Sequence, residues 1–208
     1  MLRILVLLSI GIYACKSGPV DTEQVASNQL DTLPAPQPHP WDTLPFVHTD
    51  TFDLDYLRGR FDPGQHPDFT VLDPALTDGD GTYYLRKDAA QAFARMAAAA
   101  ARAGIELRVI SATRNFDRQK MIWEAKWKGQ RLLEGRERAP EAYPDPVQRA
   151  LAILRWSSMP GTSRHHWGTD LDINRLTNEY FEQGQGLREY QWLQTYAADY
   201  GFCQPYSP

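Results

Sequence analysis

Apolar and polar positions divide the chain into three stretches of different rhythm. Residues 4–12 are almost wholly apolar after a short basic opening, Met1-Leu2-Arg3. Across residues 16–50 the pattern dissolves. Pro34, Pro36, Pro38 and Pro40 alternate with other residues, and the tetrapeptide DTLP occurs at 31–34 and again at 42–45. Proline at every second position removes backbone donors and excludes helix and central strand, so an extended or disordered tether is expected here. Regular periodicity begins only beyond Thr51.

Residues 52–84 are rich in aromatics but hold no sustained period, and read as irregular structure with short extended pieces. A helical period then runs over residues 88–103, with Phe93, Met96, Ala97 and Ala100 on its inward face and Gly104 just past its end. Ile105, Leu107 and Val109 alternate with Glu106 and Arg108, which predicts a strand to Ile110. Asn115 is placed to cap a helix running through Trp123 and Trp127 to Gly129. A charged loop at 128–144 follows. Asp145 and Pro146 then open a helix through Trp156, with Ala150, Leu151 and Leu154 expected inward. Residues 178–186 read as loop. Residues 187–200 read as helix, with Tyr190, Leu193 and Ala197 inward, and a strand begins at Phe202. Short strands among helices predict an α+β domain: a small, mainly antiparallel sheet with helices packed on it.

Composition narrows the setting. A chain of 208 residues with 42% apolar content allows one principal domain with a real core. A net charge of −4 carries no nucleic-acid footprint. The apolar run at 4–12 is far too short to span a bilayer, which takes about 20 residues, and suits the core of an export signal. It ends at Ile12-Tyr13-Ala14-Cys15, which resembles a bacterial lipobox. That resemblance implies cleavage before Cys15 and acylation of its thiol. A conventional cleaved signal with an incidental cysteine is the alternative. The expected organisation is a leader at 1–15, a tether at 16–50 and a folded domain at 51–208, held at the cell envelope on the periplasmic or extracellular face by a lipid anchor. Cys203 is the only other cysteine, and its aromatic neighbours suit a small buried hydrophobe.

The chemistry concentrates in residues 157–174, SSMPGTSRHHWGTDLDIN. His165 and Asp172 lie seven apart, so they do not share a helix face as residues three or four apart would. A turn entering a strand can bring them together, because Asp170 and Asp172 share one face and Leu171 and Ile173 the other. Neutral imidazole and carboxylate are good zinc donors. This stretch resembles the VanY-type zinc D-alanyl-D-alanine carboxypeptidases, whose pattern P-G-x-S-x-H-x-x-G-x-x-x-D is matched by Pro160, Gly161, Ser163, His165, Gly168 and Asp172. The resemblance implies His165 and Asp172 as metal ligands, a zinc ion as cofactor, and the peptide stem of peptidoglycan as partner of a monomeric enzyme. The family's second motif, S-G-Y-R-S-x-x-x-Q, is matched at Ser111, Arg114 and Gln119, with Ala112 and Thr113 in place of Gly and Tyr. That match implies that Arg114 holds substrate or stabilises the transition state. Ser111, Gln119, Ser163 and His166 would bind substrate or support the site.

The same resemblance implies a third zinc ligand and a general base in a late E-x-W-H-like segment after Tyr200-Gly201-Phe202. No such segment precedes Pro208, and no histidine follows His166. The resemblance therefore covers about residues 52–206 and implies a sequence cut short, with weak zinc binding and little activity as it stands. A non-catalytic, lipid-anchored module that holds wall peptide is the competing expectation.

Overall fold

A computed structural model describes residues 7–10, 53–78 and 81–205, with backbone alone at 7–10. Cys15 and the tether at 16–50 lie outside the described residues. The first helix of the domain, α1 (Leu54–Leu57), is capped by Asp53, whose side chain accepts from the amide of Asp55 at 2.8 Å. Strands β2 (Phe69–Val71) and β3 (Tyr84–Arg86) then pair antiparallel. Both fall among the short extended pieces expected within residues 52–84, with β3 running two residues beyond. Their apolar run is too short to show a period, and it is their pairing that makes them strands.

From β3 the chain passes directly into α2 (Lys87–Arg102), the longest helix. Its inward face is Ala89, Phe93, Met96, Ala97 and Ala100, as the period predicts. The run of small alanines lets the helix approach closely, and the core it enters holds Val109, Leu171, Ile173 and Phe202. Those four residues belong to strands β4 (Val109–Ser111), β5 (Asp170–Ile173) and β6 (Phe202–Cys203). The sheet order is β4-β5-β1-β6, and each neighbouring pair is antiparallel.

Strand β1 (Leu7–Ile10) comes from the run expected to be the core of an export signal. It lies between β5 and β6, with Leu8 opposite Leu171 and Ser9 opposite both Asp170 and Cys203. A continuous apolar run suits an interior strand as well as a leader core, and no period in the sequence separates the two. The strand expected at 105–110 is laddered only from Val109, although Ile105, Leu107 and Val109 are all buried as the alternation requires.

A second, smaller core gathers under α3 (Phe116–Trp127), α4 (Ala139–Ala142) and α5 (Pro146–Leu154). Leu133, Ala139, Ala152 and Ile153 form it, with Trp123, Trp127 and Tyr143 packed against them. Two expectations change here. The loop at 128–144 contains α4 and buries Leu133. Helix α5 turns Ala152 and Ile153 inward, while Leu151 and Leu154 stand half exposed. This helix has apolar residues on more than one side, and its packing on α3 selects the face opposite to the one the pattern favours. Further on, α6 (Asn178–Phe181) replaces an expected loop, and α7 (Gly184–Tyr196) runs into a 3-10 turn, Ala197–Tyr200. Tyr190, Leu193 and Ala197 face inward as predicted, and Cys203 is half-buried.

The end of β5 is fixed by a buried polar knot. Asn174, at φ 57°, accepts the amide of Arg108 at 2.7 Å and donates to the Glu106 carbonyl at 2.9 Å and the Glu189 carboxylate at 2.6 Å. Glu189 is fully buried and also accepts from Tyr180 and Gln185. We expect Asn174→Ala to leave the Arg108 amide unpaired, to take one of three donors from the buried Glu189 carboxylate and to put alanine in the left-handed region, a cost of about 2–4 kcal/mol. Thermal denaturation should show Tm lowered by roughly 5–15 °C. Asn174→Gly, which relieves only the backbone, should recover a minor part. A Tm for Asn174→Ala within a degree of wild type contradicts this role.

Candidate active site

The short 3-10 turn Arg164–Trp167 carries both histidines of the motif and ends at Gly168, whose φ is 74°. A side chain at Gly168 would run into the ring of Phe69, and its carbonyl accepts the amide of Arg86 at 2.9 Å. Glycine is thus required twice over, by the backbone angle and by the close approach of the β2–β3 pair. The next residues enter β5, where alternation sends Leu171 and Ile173 into the main core and Asp170 and Asp172 to the other face.

His165 is almost fully buried, and its Nδ1 lies 2.9 Å from the carbonyl of Ala112. A carbonyl only accepts, so this contact places a proton on Nδ1, and in the neutral ring it leaves a lone pair on Nε2. That Nε2 lies 3.6 Å from Asp170 Oδ2 and 3.6 Å from Asp172 Oδ1. Neither distance is a hydrogen bond. His165 Nε2 and Asp172 Oδ1 are both buried without a partner. Lone pairs that face one another in a dry site are costly unless a cation lies between them. Asp170 has a partial remedy, since Arg164 Nη2 reaches its Oδ1 at 3.2 Å. Burial pushes the Asp170 carboxyl up, while His165 and Arg164 pull it back.

Arg114 enters from the junction of β4 and α3. Its amide donates to the His165 carbonyl at 3.1 Å, and its own carbonyl accepts from His166 Nδ1. Its Nε is buried and unpaired. Burial lowers the guanidinium pKa, and Asp172 and Asp170 raise it again, so the side chain keeps its charge beside the two carboxylates. Ser111 pairs with Asp172 across β4 and β5. Ser163 is buried at the start of the histidine turn, where its carbonyl accepts the amide of His166 at 3.0 Å. His166 is fully buried, and its Nε2 accepts from the Gly161 amide at 3.0 Å. Both ring nitrogens therefore face backbone groups, and the ring ties three segments together. Trp167 remains 38% exposed, available as a wall.

The strap leading into the motif is held by two side chains of α3. Gln119 donates to the Ser158 carbonyl at 2.6 Å, and Lys126 donates to the Ser157 hydroxyl at 2.6 Å. Seven residues apart, they share one helix face. Sequence reasoning singled out Gln119 and passed over Lys126, whose heptad spacing from Gln119 was the available signal. Asp170 was likewise set aside, and it stands as close to His165 as Asp172 does. Cys15 lies outside the described residues.

His165 and Asp172 fit a zinc ion as two of its donors. Two donors on one tetrahedral zinc, each about 2.0–2.2 Å from the ion, stand about 3.4 Å apart, close to the separation found here. Among the described residues no set of three His, Cys, Asp or Glu side chains closes into a metal cage.

Residues 82–208 match the family model described as VanY, D-alanyl-D-alanine carboxypeptidase. A Bacillus subtilis protein with the provisional name carboxypeptidase YodJ is 33% identical over 125 residues, 59% of this chain and 39% of that protein. An uncharacterised Haemophilus influenzae protein is 36% identical over 87 residues, 40% of this chain and 58% of its own length. Among solved structures, the LD-carboxypeptidase LdcB aligns with TM-score 0.52 and 25% identity, covering 72% of this chain and 62% of its own. A vancomycin-resistance D,D-pentapeptidase VanY, solved in complex with Zn(II), aligns with TM-score 0.47 and 23% identity over 65% of this chain and 69% of its own.

The strap yields a prediction in pH. Burial lowers the Lys126 ammonium from its ordinary 10.5 to about 8. Below pH 8 the folded protein must bury a charge, and that penalty is fully present. Between about pH 8 and 10.5 the folded side chain is neutral while the unfolded one stays protonated, so stability rises with pH. Chemical denaturation of wild type should show a rise of up to ~3 kcal/mol across that window, absent from Lys126→Met. Parallel profiles for the two proteins contradict the buried ammonium.

Proposed function

Because the chain belongs to the VanY D-alanyl-D-alanine carboxypeptidase family, we propose that it is a zinc-dependent carboxypeptidase that removes the terminal D-alanine from peptide stems of peptidoglycan. The observation that carries this reading is the unpaired lone pair of His165 Nε2 facing the unpaired Asp172 Oδ1 across 3.6 Å in a dry site. His165 and Asp172 would hold the ion, which when bound polarises a scissile carbonyl and lowers the pKa of water. The chain's own groups do the rest. Arg114 stands beside the two carboxylates with Nε unpaired. A guanidinium there can take a substrate carboxylate through two parallel bonds, or the oxygen that gains charge during attack. Gln119 is fully buried and supports the site from within, through its bond to the Ser158 carbonyl. The half-exposed indole of Trp167 supplies an apolar wall.

The likeness to an LD-carboxypeptidase supports a second reading of specificity, in which the same site cuts the L,D bond of a tetrapeptide stem. Supplying pentapeptide and tetrapeptide stems side by side and measuring free D-alanine separates the two. Where a late E-x-W-H-like segment supplies the third ligand and the base, turnover should require zinc and be faster on the pentapeptide. His165→Ala should lose zinc by elemental analysis and lower turnover at least a hundredfold, within the range that catalytic groups of this kind supply. Asp170→Asn should keep the metal. Zinc retained in His165→Ala, or bound stem peptide without any cleavage by wild type, contradicts the proposal. The latter outcome favours a binding module.

The apolar run ending at Cys15 supports a further part of this reading, attachment to a membrane at the cell envelope by an acylated Cys15, with cleavage before Cys15 removing β1 from the sheet of the mature protein. Fractionated cells should show Cys15→Ser released from membranes. Equal membrane retention of the variant and the wild type contradicts lipidation.

A further inference from the structure

The residues that match the family model begin at position 82, yet the histidine turn is clamped by a segment well before it. The phenol of Tyr56 donates to the Trp167 carbonyl at 2.7 Å, and the Trp167 indole donates back to the Leu57 carbonyl at 3.2 Å. Two residues on, Gly59 sits against the ring of His166. A Cβ built there would lie 2.5 Å from His166 Nδ1 and 2.6 Å from its Cγ. Gly59 also has φ 72°, and its carbonyl accepts the amide of Phe116, the first residue of α3, at 2.7 Å. One short stretch thus touches the turn from both sides of His166 and the start of the helix that follows Arg114.

Any shift of the turn moves His165, because its neighbour is held on both sides. His166 Nδ1 is bonded to Arg114, Nε2 to Gly161, and the next residue is fixed by Tyr56. His165 itself is held through its ring on Ala112 and through its carbonyl on the Arg114 amide. Tyr56 itself stacks on Phe61 at 5.3 Å, so its hydroxyl is aimed by ring packing.

We propose that Tyr56 and Gly59 are positioning residues of the site: they lock the His165-His166-Trp167 turn so that His165 Nε2 keeps its aim at the Asp170 and Asp172 carboxylates. The claim rests on the proposed zinc carboxypeptidase reading for its kinetic consequences, but not for its geometry. Groups that orient a metal-binding histidine from behind typically change metal affinity or activity by about 10–100-fold when removed.

The experiment uses the full-length protein with Tyr56→Phe, Gly59→Ala and the pair Gly59→Ala/His166→Ala. Three quantities are read: the imidazole nitrogen resonances of the metal-free protein by NMR, the zinc dissociation constant, and kcat and KM for release of D-alanine from a pentapeptide stem. Tyr56→Phe removes one hydroxyl without changing volume, so it stays informative if Gly59→Ala folds poorly. Both single variants should move the His165 and His166 resonances, weaken zinc about 10–100-fold and lower kcat, with KM within about twofold. Gly59→Ala should cost little more once His166→Ala has removed the ring it strikes, a non-additivity expected of groups in contact. Resonances and zinc affinity unchanged in both single variants, whatever happens to Tm, overturn the proposal. A wild type that neither binds zinc nor releases D-alanine overturns the enzymatic reading. The imidazole resonances then decide the positioning claim by themselves.

Discussion

The imidazole of His165 gives its one ring proton to the carbonyl of Ala112, and that bond decides what its other nitrogen can be. With Nδ1 committed, Nε2 of the neutral ring carries only a lone pair, and it is aimed at two buried carboxylates. Three acceptors in that relation repel. The arrangement persists because everything behind it is fixed, and it becomes favourable when a cation occupies the space between. On the proposed reading, affinity for an ion is stored in the protein as unrelieved polarity.

Holding such a geometry takes more than one element. Strand β5 supplies the carboxylates on one face because Leu171 and Ile173 on the other are drawn into the core with α2. Strand β4 supplies the Ala112 carbonyl just past its end, and the same junction delivers Arg114. The knot of Asn174 and Glu189 fixes where β5 stops. Helix α3 holds the incoming strap through Gln119 and Lys126, and the Tyr56–Gly59 stretch closes over the histidine turn. Each contact is made to a group other than His165 Nε2 and Asp172 Oδ1, which keeps those two atoms without a partner.

How much of this could be read from sequence depended on whether a signal was local. Helix α2 was legible because its period is unbroken over many residues and a glycine marks its end. The pair His165 and Asp172 was legible because a turn followed by strand alternation brings them together, and the structure places them at 3.6 Å. Asp170 was not separable from Asp172 by alternation, since both lie on one face, and the family pattern alone favoured the second. Helix α5 misled because it has apolar residues on two sides, and the choice between them is made by α3. Residues 7–10 suit a leader and an interior strand alike, because an apolar run without a period is the same pattern in both. The role of Gly59 had no local mark at all: its partner His166 is over a hundred positions away, and only the folded chain brings them into contact.

The account stands or falls on the space between His165 Nε2 and Asp172 Oδ1. Crystals of the full-length protein grown with zinc, with diffraction recorded on both sides of the zinc absorption edge, locate the ion without assumption. The account predicts an anomalous peak within about 2.3 Å of both atoms, with His165 Nδ1 still on the Ala112 carbonyl. No peak there, with His165 Nε2 instead drawn to about 2.8 Å from a carboxylate oxygen as a protonated ion pair, would contradict it.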